Sequence, residues 1–431
     1  MKHNVKLGTV CGLIRASIRL ASLEGSRWKP GEVFSRNENL MQRTFSTYTN
    51  DLSLNINHGP STGLVRLIGL VCLSSVLMLS LATSAVKGAE VSPTQEEEDG
   101  LPQSQLVVLR EAFQLVNTVG NEVWPGWTRS PMTVVIIEDD YEYLLNAPRN
   151  WKESGGFERT EQTFLRQPIY HRSRTLPQAL RAAFPVAGLP AAVVGAWNPS
   201  EESPNEWAVT LAHEWFHVLQ MAREEEAKVA DLELGQGVYP SLQLDYPFAY
   251  GDRDVGYAIH LLGSSLYDFW SRSRTLPRAV QRTFVAETSW AALQNLKTII
   301  SLKYGDDAYN YFRYQTWKEG VARYTQVHVS LLAADFEDNG RFYQQPGLAA
   351  LQGNMSYGRL WEEVTRTNYW LIRTASGIEG GNPISFYGIG HGLAELLDAL
   401  NPSWKEHYFD KGVWLDTLIE EVMDPKAVAA R

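Results

Sequence analysis

Apolar residues recur along the first half of the chain at two different spacings, which predict one helix and two strands. Gln105–Val119 has the three-to-four-residue apolar spacing of an amphipathic helix. Met132–Ile137 and Ala191–Trp197 are short runs rich in β-branched residues, which are typical of strands. Between them, the acidic start of Asp139–Tyr143 predicts a short helix, and residues 148–176 form a polar, turn-rich connection.

The second half of the chain has a mainly helical pattern. Ser203–Glu206 combines a serine N-cap, a proline at the first helical position and a glutamate three residues after the cap. The apolar stretch Thr210–Leu219 continues that helix, and further helices are predicted around 255–272, around 278–298 and across Asp307–Gln326. We therefore expect an α+β fold, with a small N-terminal sheet, one helix that carries the active site and a mainly helical C-terminal lobe.

The first 89 residues differ in kind from the rest. An apolar run at residues 67–81 follows Arg66 and precedes small residues that end at Ala85, which is the layout of a secretory signal peptide. The run is short for a membrane span, which needs about 20 residues. We expect cleavage near residue 85 and a secreted or periplasmic protein. The alternative is an uncleaved anchor formed by residues 64–85.

Three further features concern the start of translation, the linker before the folded domain and the cysteines. Met41 is an alternative start to Met1, and residues 90–104 form an acidic, proline-containing linker before the folded domain at 105–431. Both cysteines of the 431 residues lie in the leader, so no disulfide, thiol ligand or thiol nucleophile is expected in the mature chain.

The net charge limits the kinds of binding partner that the chain can have. Residues 1–89 hold ten of the 39 Lys and Arg and four of the 49 Asp and Glu. The remainder therefore has 29 basic and 45 acidic residues and a net charge of −16. Such a surface disfavours nucleic acids and anionic membranes, which bind basic patches. We expect a membrane contact only if the leader stays uncleaved.

The sequence His213-Glu214-Trp215-Phe216-His217 is a His-Glu-x-x-His motif inside the apolar, capped helix. Residues four apart lie on the same face of a helix, so both imidazoles can bind one metal ion. Glu214 lies next to them, where it can accept a proton from a water without binding the metal. The motif predicts a zinc site in which Glu214 is the general base.

A catalytic zinc site needs a third protein ligand and an open position. The candidates downstream are His260, Glu319, His328 and His391, together with other carboxylates. Glu319 stands out because Gly320 follows it inside a predicted helix, where glycine costs about 1 kcal/mol relative to alanine and needs a packing or functional reason. Gly320 and Ala322 would allow this helix to approach the helix of His213 closely. The alternative is that Glu319 is a solvated residue between Lys318 and Arg323.

The motif, followed about a hundred residues later by Glu-Gly-x-Ala-x-Tyr at 319–324, resembles the gluzincin branch of the zincin metallopeptidases. The layout is similar to that of exported bacterial peptidase-like proteins. The resemblance implies that His213, His217 and Glu319 bind Zn²⁺ and that Glu214 is the general base. Aminopeptidase activity is not implied, because the glutamate 18 residues after the second histidine and the Gly-x-Met-x-Asn sequence of that type are absent from the sequence.

Peptide hydrolysis also needs a donor for the oxyanion of the transition state. The candidates are Tyr324, Tyr369, Tyr387 and His391. Tyr387 and His391 are the best of these, because the surrounding glycines of Phe386–Gly392 let the backbone approach a site. Tight helix packing is the alternative explanation of those glycines.

The leading hypothesis is thus an exported zinc endopeptidase whose partner is a peptide or protein substrate. Ala191–Val194 can serve as an edge strand that pairs with an extended peptide, or as an ordinary core strand. Two other functions stay open. The same ligands suit a hydrolase of another amide or ester, and they also suit a catalytically silent binding protein that zinc stabilises.

Overall fold

The computed structural model describes residues 100–223, 225–230, 232, 234, 246–272, 286–374 and 385–424. All of these residues belong to one compact unit, Ser61–Arg431. The predicted signal peptide, the start at Met41 and most of the acidic linker lie outside the described residues. The end of the linker is already structured, since Leu101 is buried and the first helix starts at Gln103.

The described region has mixed α+β structure, with one six-stranded sheet and a larger set of helices. The strands are β1 (Val134–Ile137), β2 (Tyr141–Leu145), β3 (Glu158–Phe164), β4 (Gln167–Ser173), β5 (Arg181–Val186) and β6 (Leu189–Gly195). The helices are α1 (Gln103–Val123), α2 (Pro204–Ala222), α3 (Glu225–Ala230), α4 (Arg253–Arg272), α5 (Ala286–Tyr304), α6 (Asp306–Gln315), α7 (Val321–Asp338), α8 (Tyr357–Thr374), α9 (Ser385–Leu400), α10 (Trp404–His407) and α11 (Leu415–Met423).

The strand order in the sheet is β3-β4-β2-β1-β6-β5. β1 and β6 are parallel neighbours, and every other pair is antiparallel. β6 therefore pairs on both sides, so the possibility that Ala191–Val194 is an edge strand was wrong. The strand at this edge of the sheet is β5.

Strand β1 is buried on both faces of the sheet, and its side chains alternate between two cores. Val134 and Ile136 join the main core with α1 and α2, while Val135 and Ile137 join a smaller core on the opposite face. Two buried tryptophans of α2 attach that helix to the sheet: the indole of Trp207 donates to the carbonyl of Gly195, and that of Trp215 donates to the carbonyl of Thr133. The sheet thus fixes the position of α2.

The helix predicted over Asp139–Tyr143 was wrong, because β2 occupies Tyr141–Leu145 and pairs with β1. The acidic residues that suggested a helix start instead form the tight turn, in which the amide of Glu138 donates to the carbonyl of Tyr141. The turn-rich prediction for 148–176 missed the hairpin of β3 and β4. Most side chains of that hairpin are polar and partly exposed, so the two strands show no apolar alternation.

The predicted helices correspond well to those observed. The first extends from Gln103 to Val123, and the capped helix, α4 and the helical C-terminal half are confirmed in the described residues. The helix predicted around 278–298 is α5, although residues 278–285 lie outside the described residues. No helix in the described part of the chain has the length and apolar character that crossing a membrane requires.

A candidate metal centre where three helices meet

Helix α2, which carries the motif, starts at a capped N-terminus. The hydroxyl of Ser203 accepts from the amide of Glu206 at 3.2 Å, and the carboxylate of Glu206 accepts from the amide of Ser203 at 2.9 Å. This reciprocal capping box, with Pro204 at the first position, is the one predicted from the sequence. His213 and His217 lie further along the same helix, and both are buried.

Glu319 reaches the two histidines from a wide helical turn. Thr316–Gly320 forms one π turn between α6 and α7, in a segment that the sequence predicted as a single regular helix. π turns insert an extra residue into a helix and are frequent at functional sites, because they change the direction of a side chain. Glu319 is buried here, so the possibility that it is a solvated residue was wrong.

Gly320 has a packing reason, although it is not the predicted one. A Cβ on Gly320 would lie 2.3 Å from the Cα of Gly390 on α9. The absence of a side chain at Gly320 therefore allows close packing against α9, not against the helix of His213. The explanation of Gly390 by tight helix packing is confirmed by the same contact.

The three predicted ligand atoms form a small triangle. The Nε2 atoms of His213 and His217 are 3.2 Å apart, and Oε2 of Glu319 lies 3.2 Å from Nε2 of His217 and 3.8 Å from Nε2 of His213. Ligands of a tetrahedral zinc ion at 2.0–2.1 Å from the metal stand about 3.3 Å from one another. The observed separations agree with that value, so these residues fit a zinc ion.

Gln220 orients His217 and was not predicted. Its amide nitrogen donates to the carbonyl of Lys318 at 3.1 Å and to the hydroxyl of Tyr408 at 2.8 Å. Its amide oxygen must then accept from Nδ1 of His217, at 2.6 Å. When the ring of His217 is neutral, its proton therefore lies on Nδ1, which leaves the lone pair of Nε2 for a metal ion. Gln220 lies three residues after His217, and this helical spacing could have indicated their contact from the sequence.

The charges of the three ligands are strongly coupled in the described structure. Burial raises the pKa of Glu319, but the charge of His217 and hydrogen bonds from both histidines outweigh burial and hold that pKa well below its usual range. Burial lowers the pKa of His213 to about 4. For His217 burial also acts to lower the pKa, but Glu319 outweighs it and the pKa rises. The buried carboxylate thus needs a positive charge beside it, which a protonated His217 or a metal ion would supply.

Glu214 is buried beside the triangle, and its Oε2 has no hydrogen-bond partner among the described residues. Burial raises its pKa to about 7, against the opposing effects of His217 and Arg181. An unpartnered carboxylate oxygen next to two metal-ligand candidates is free to exchange a proton with a small molecule.

Of the predicted oxyanion donors, Tyr387 is the one that the structure brings to the triangle. Its ring stacks on that of His213, with centroids 5.9 Å apart and an angle of 6° between the planes. Its hydroxyl hydrogen-bonds Glu319, and burial raises its pKa well above the usual range. Tyr387 therefore keeps its proton and can act as a donor.

The other candidates lie elsewhere. His391 contacts Trp270 and Glu395, the hydroxyl of Tyr324 bonds Asp398, and His328 bonds Glu395. His260 is exposed on α4. The side chain of Tyr369 lies outside the described residues.

Two buried cations near Glu319 were not predicted. Lys318 forms an ion pair with the buried Glu225 at 2.9 Å. Arg323 is 2% exposed and donates to three neutral acceptors, Asn368, Gln326 and the carbonyl of Val364. Burial lowers the pKa of Arg323 to about 10. The helical spacing of Glu319 and Arg323, four residues apart, was the signal that could have placed Arg323 near the site.

The chain was compared with family models, with curated proteins and with solved structures. None of them matches it. The geometry of His213, Glu214, His217 and Glu319 is therefore the basis for assigning a function.

Proposed function

We propose that this protein is a zinc-dependent peptidase of the zincin type, exported from the cell that makes it. The observation that carries the proposal is the triangle of His213 Nε2, His217 Nε2 and Glu319 Oε2, with separations of 3.2–3.8 Å. Two imidazoles and one carboxylate are a common ligand set of catalytic zinc in peptidases. Their residues come from two distant segments, so chance spacing in the sequence does not explain their convergence.

The metal would supply Lewis acidity toward a carbonyl oxygen and toward a water molecule. The chain itself supplies proton transfer and charge stabilisation. Glu214 accepts the proton of the attacking water through its unpartnered oxygen and delivers it to the leaving amine. Tyr387 keeps its hydroxyl proton and donates it in a hydrogen bond to the oxyanion. Gln220 holds the imidazole of His217 in the orientation that binding requires.

The sheet offers a place for an extended substrate. β5 pairs with β6 on one side, and its other edge has no strand beside it in the described part of the sheet. Arg181, at the start of β5, forms an ion pair with Glu202 at 2.8 Å, just before the cap of α2. The charge of Arg181 also acts on Glu214, so this end of β5 lies near the proposed base. A peptide added to β5 would therefore run toward Glu214.

The decisive experiment compares three variants of the purified protein. We expect Glu214→Gln to keep zinc and to lose a factor of about 10² to 10⁴ in kcat on peptide substrates, because only proton transfer is removed. Glu319→Gln should lose zinc together with activity. The exposed Glu406→Gln is the matched control and should behave like the wild type.

Three results would contradict the proposal: no bound zinc in the wild type, no peptide cleavage by the zinc-loaded wild type, or full cleavage by Glu214→Gln. Export is tested separately, by sequencing the N-terminus of the protein recovered from outside the cytoplasm. The proposal expects a terminus near residue 86.

A further inference from the structure

A second group of metal-binding side chains lies between α7 and α9. His328 comes from α7, while His391, Glu395 and Asp398 come from α9. Candidate ligand atoms of His328, Glu395 and Asp398 all lie within 4.8 Å of one another. None of these residues belongs to the proposed peptidase site.

His391 is the reason to regard this group as a binding site. The residue has no exposed surface, and neither ring nitrogen has a hydrogen-bond partner among the described residues. Its Nε2 faces the carboxylate of Glu395 at 3.5 Å, which is longer than a charge-assisted hydrogen bond. A buried imidazole is normally hydrogen-bonded or bound to a metal.

The carboxylate of Glu395 faces two imidazoles. Its described ion-pair partners are two imidazoles, His328 at 2.8 Å and His391 at 3.5 Å. An ion pair between His328 and Glu395 would satisfy the carboxylate alone and would leave both nitrogens of His391 without partners. A divalent ion would instead take the oxygen of Glu395 and the nitrogen of His328 as ligands, with the unpartnered imidazole of His391 next to Glu395.

Asp398 is already held in position for such an ion. Its carboxylate accepts from the hydroxyl of Tyr324 and from the indole of Trp404. Lys405 lies 3.7 Å from it, but the ammonium of Lys405 also donates to Tyr324 and to the carbonyl of Val123. Ligand carboxylates in metal sites are commonly fixed by hydrogen bonds of this kind.

We propose that His328, Glu395 and Asp398 bind a second divalent transition-metal ion, with zinc as the best match to one imidazole and two carboxylates. Three protein ligands leave the fourth position of a zinc ion open, and the unpartnered imidazole of His391, 3.5 Å from Glu395, could fill it if its ring turned toward the ion. The ion would link α7 to α9. Glu319 lies two residues before the first residue of α7, and Tyr387 lies one turn before His391 on α9. The second ion would thus fix the contact that places Tyr387 against Glu319.

The test is the number of zinc ions bound by each chain, measured by elemental analysis of the full-length protein after dialysis against buffered zinc. We expect two ions in the wild type, one in Glu395→Gln, one in Glu319→Gln and none in the double variant. His407→Ala, which removes an exposed histidine on α10, should keep two. If Glu395→Gln binds as many zinc ions as the wild type, the inference is overturned.

Titration of the metal-free wild type with Co²⁺ needs no variant and so does not depend on the folding of Glu395→Gln. We expect the absorption of bound Co²⁺ to saturate at two ions per chain, and saturation at one overturns the inference. Loss of metal only in Glu395→Gln, with no effect of Glu319→Gln, would support the second site and reject the proposed peptidase site.

Discussion

Gln220 shows how one neutral side chain controls a charged site. It connects His217 to the π turn through the carbonyl of Lys318, and to the residue that follows α10 through the hydroxyl of Tyr408. Such outer contacts fix the tautomer of a ligand histidine and raise its affinity for metal. The site therefore depends on a residue that performs no chemistry.

We predict that Gln220→Ala weakens zinc binding by about 10- to 100-fold, because His217 loses the acceptor that holds its proton on Nδ1. Competition with a chelator of known affinity measures the change. Gln178→Ala, which removes an exposed glutamine bonded to Asp139, is the control. An unchanged zinc affinity in Gln220→Ala would show that the ring of His217 is oriented by something else.

The ionisation of Glu138 makes the free energy of unfolding depend on pH. Burial, with a smaller effect of Asp139, raises its pKa from 4.5 to about 7. The folded state therefore holds a proton that the unfolded state releases at lower pH. For this group the free energy of unfolding is highest below pH 4.5 and falls as the pH rises from 4.5 to about 7.

We predict that Glu138→Gln loses less stability than the wild type between about pH 5 and about pH 8, because it has no carboxyl to ionise. Urea unfolding at the two pH values measures the difference. Glu153→Gln, at an exposed position, should follow the wild type. If Glu138→Gln shows the same pH dependence as the wild type, the pKa of Glu138 is not raised.

At the scale of the elements, the site depends on the crossing of the π turn and α9. A Cβ on Gly390 would lie 2.5 Å from the Cα of Gly320, so both positions need glycine for the backbones to meet. This crossing places Tyr387 beside Glu319. Glycine here serves close approach, since Gly320 has an ordinary helical φ of −64°.

We predict that Gly320→Ala destabilises the fold by about 1–3 kcal/mol, as overpacking does, and also lowers kcat, because α9 must move away together with Tyr387. Denaturant unfolding and peptide cleavage measure the two effects. Gly358→Ala on α8 is the control, because its Cβ would meet only the hydroxyl of Ser356, at 3.9 Å. An active, stable Gly320→Ala would mean that the crossing adapts without cost.

At the scale of the whole molecule, the candidate zinc site joins two parts of the fold. α2 is attached to the sheet through Trp207 and Trp215, whereas Glu319 belongs to the helical C-terminal half. A ligand that binds only the folded state stabilises it in proportion to the logarithm of its concentration over Kd. Zinc would therefore hold the sheet part and the helical part together.

We predict that a chelator lowers the Tm of the wild type, since occupancy at 100 times Kd contributes about 2.7 kcal/mol. Glu214→Gln should show a shift as large as that of the wild type, because it keeps the ligands. Glu319→Gln should show a smaller one. Differential scanning calorimetry with and without the chelator provides the measurement, and equal shifts in the two variants would exclude Glu319 as a ligand.

The sequence alone determined those parts of the site that lie within one helix. His213, Glu214 and His217 are close because residues three and four apart share a helix face, and the capping box that starts α2 is equally local. The strands β1 and β6 were predicted because their apolar runs are buried. The hairpin of β3 and β4 was missed because its polar, partly exposed side chains have no burial pattern.

Only the tertiary structure decided which distant residues meet these histidines. Glu319 was suggested by the glycine that follows it and by the resemblance, but its position beside the histidines depends on a π turn, which the sequence pattern did not predict. Tyr387 joins the site while His391, four residues later on the same helix, faces another partner, since the crossing at Gly320 and Gly390 sets the position of α9. Spacing along a chain determines neighbours within a helix, and only the packing of helices determines neighbours between them.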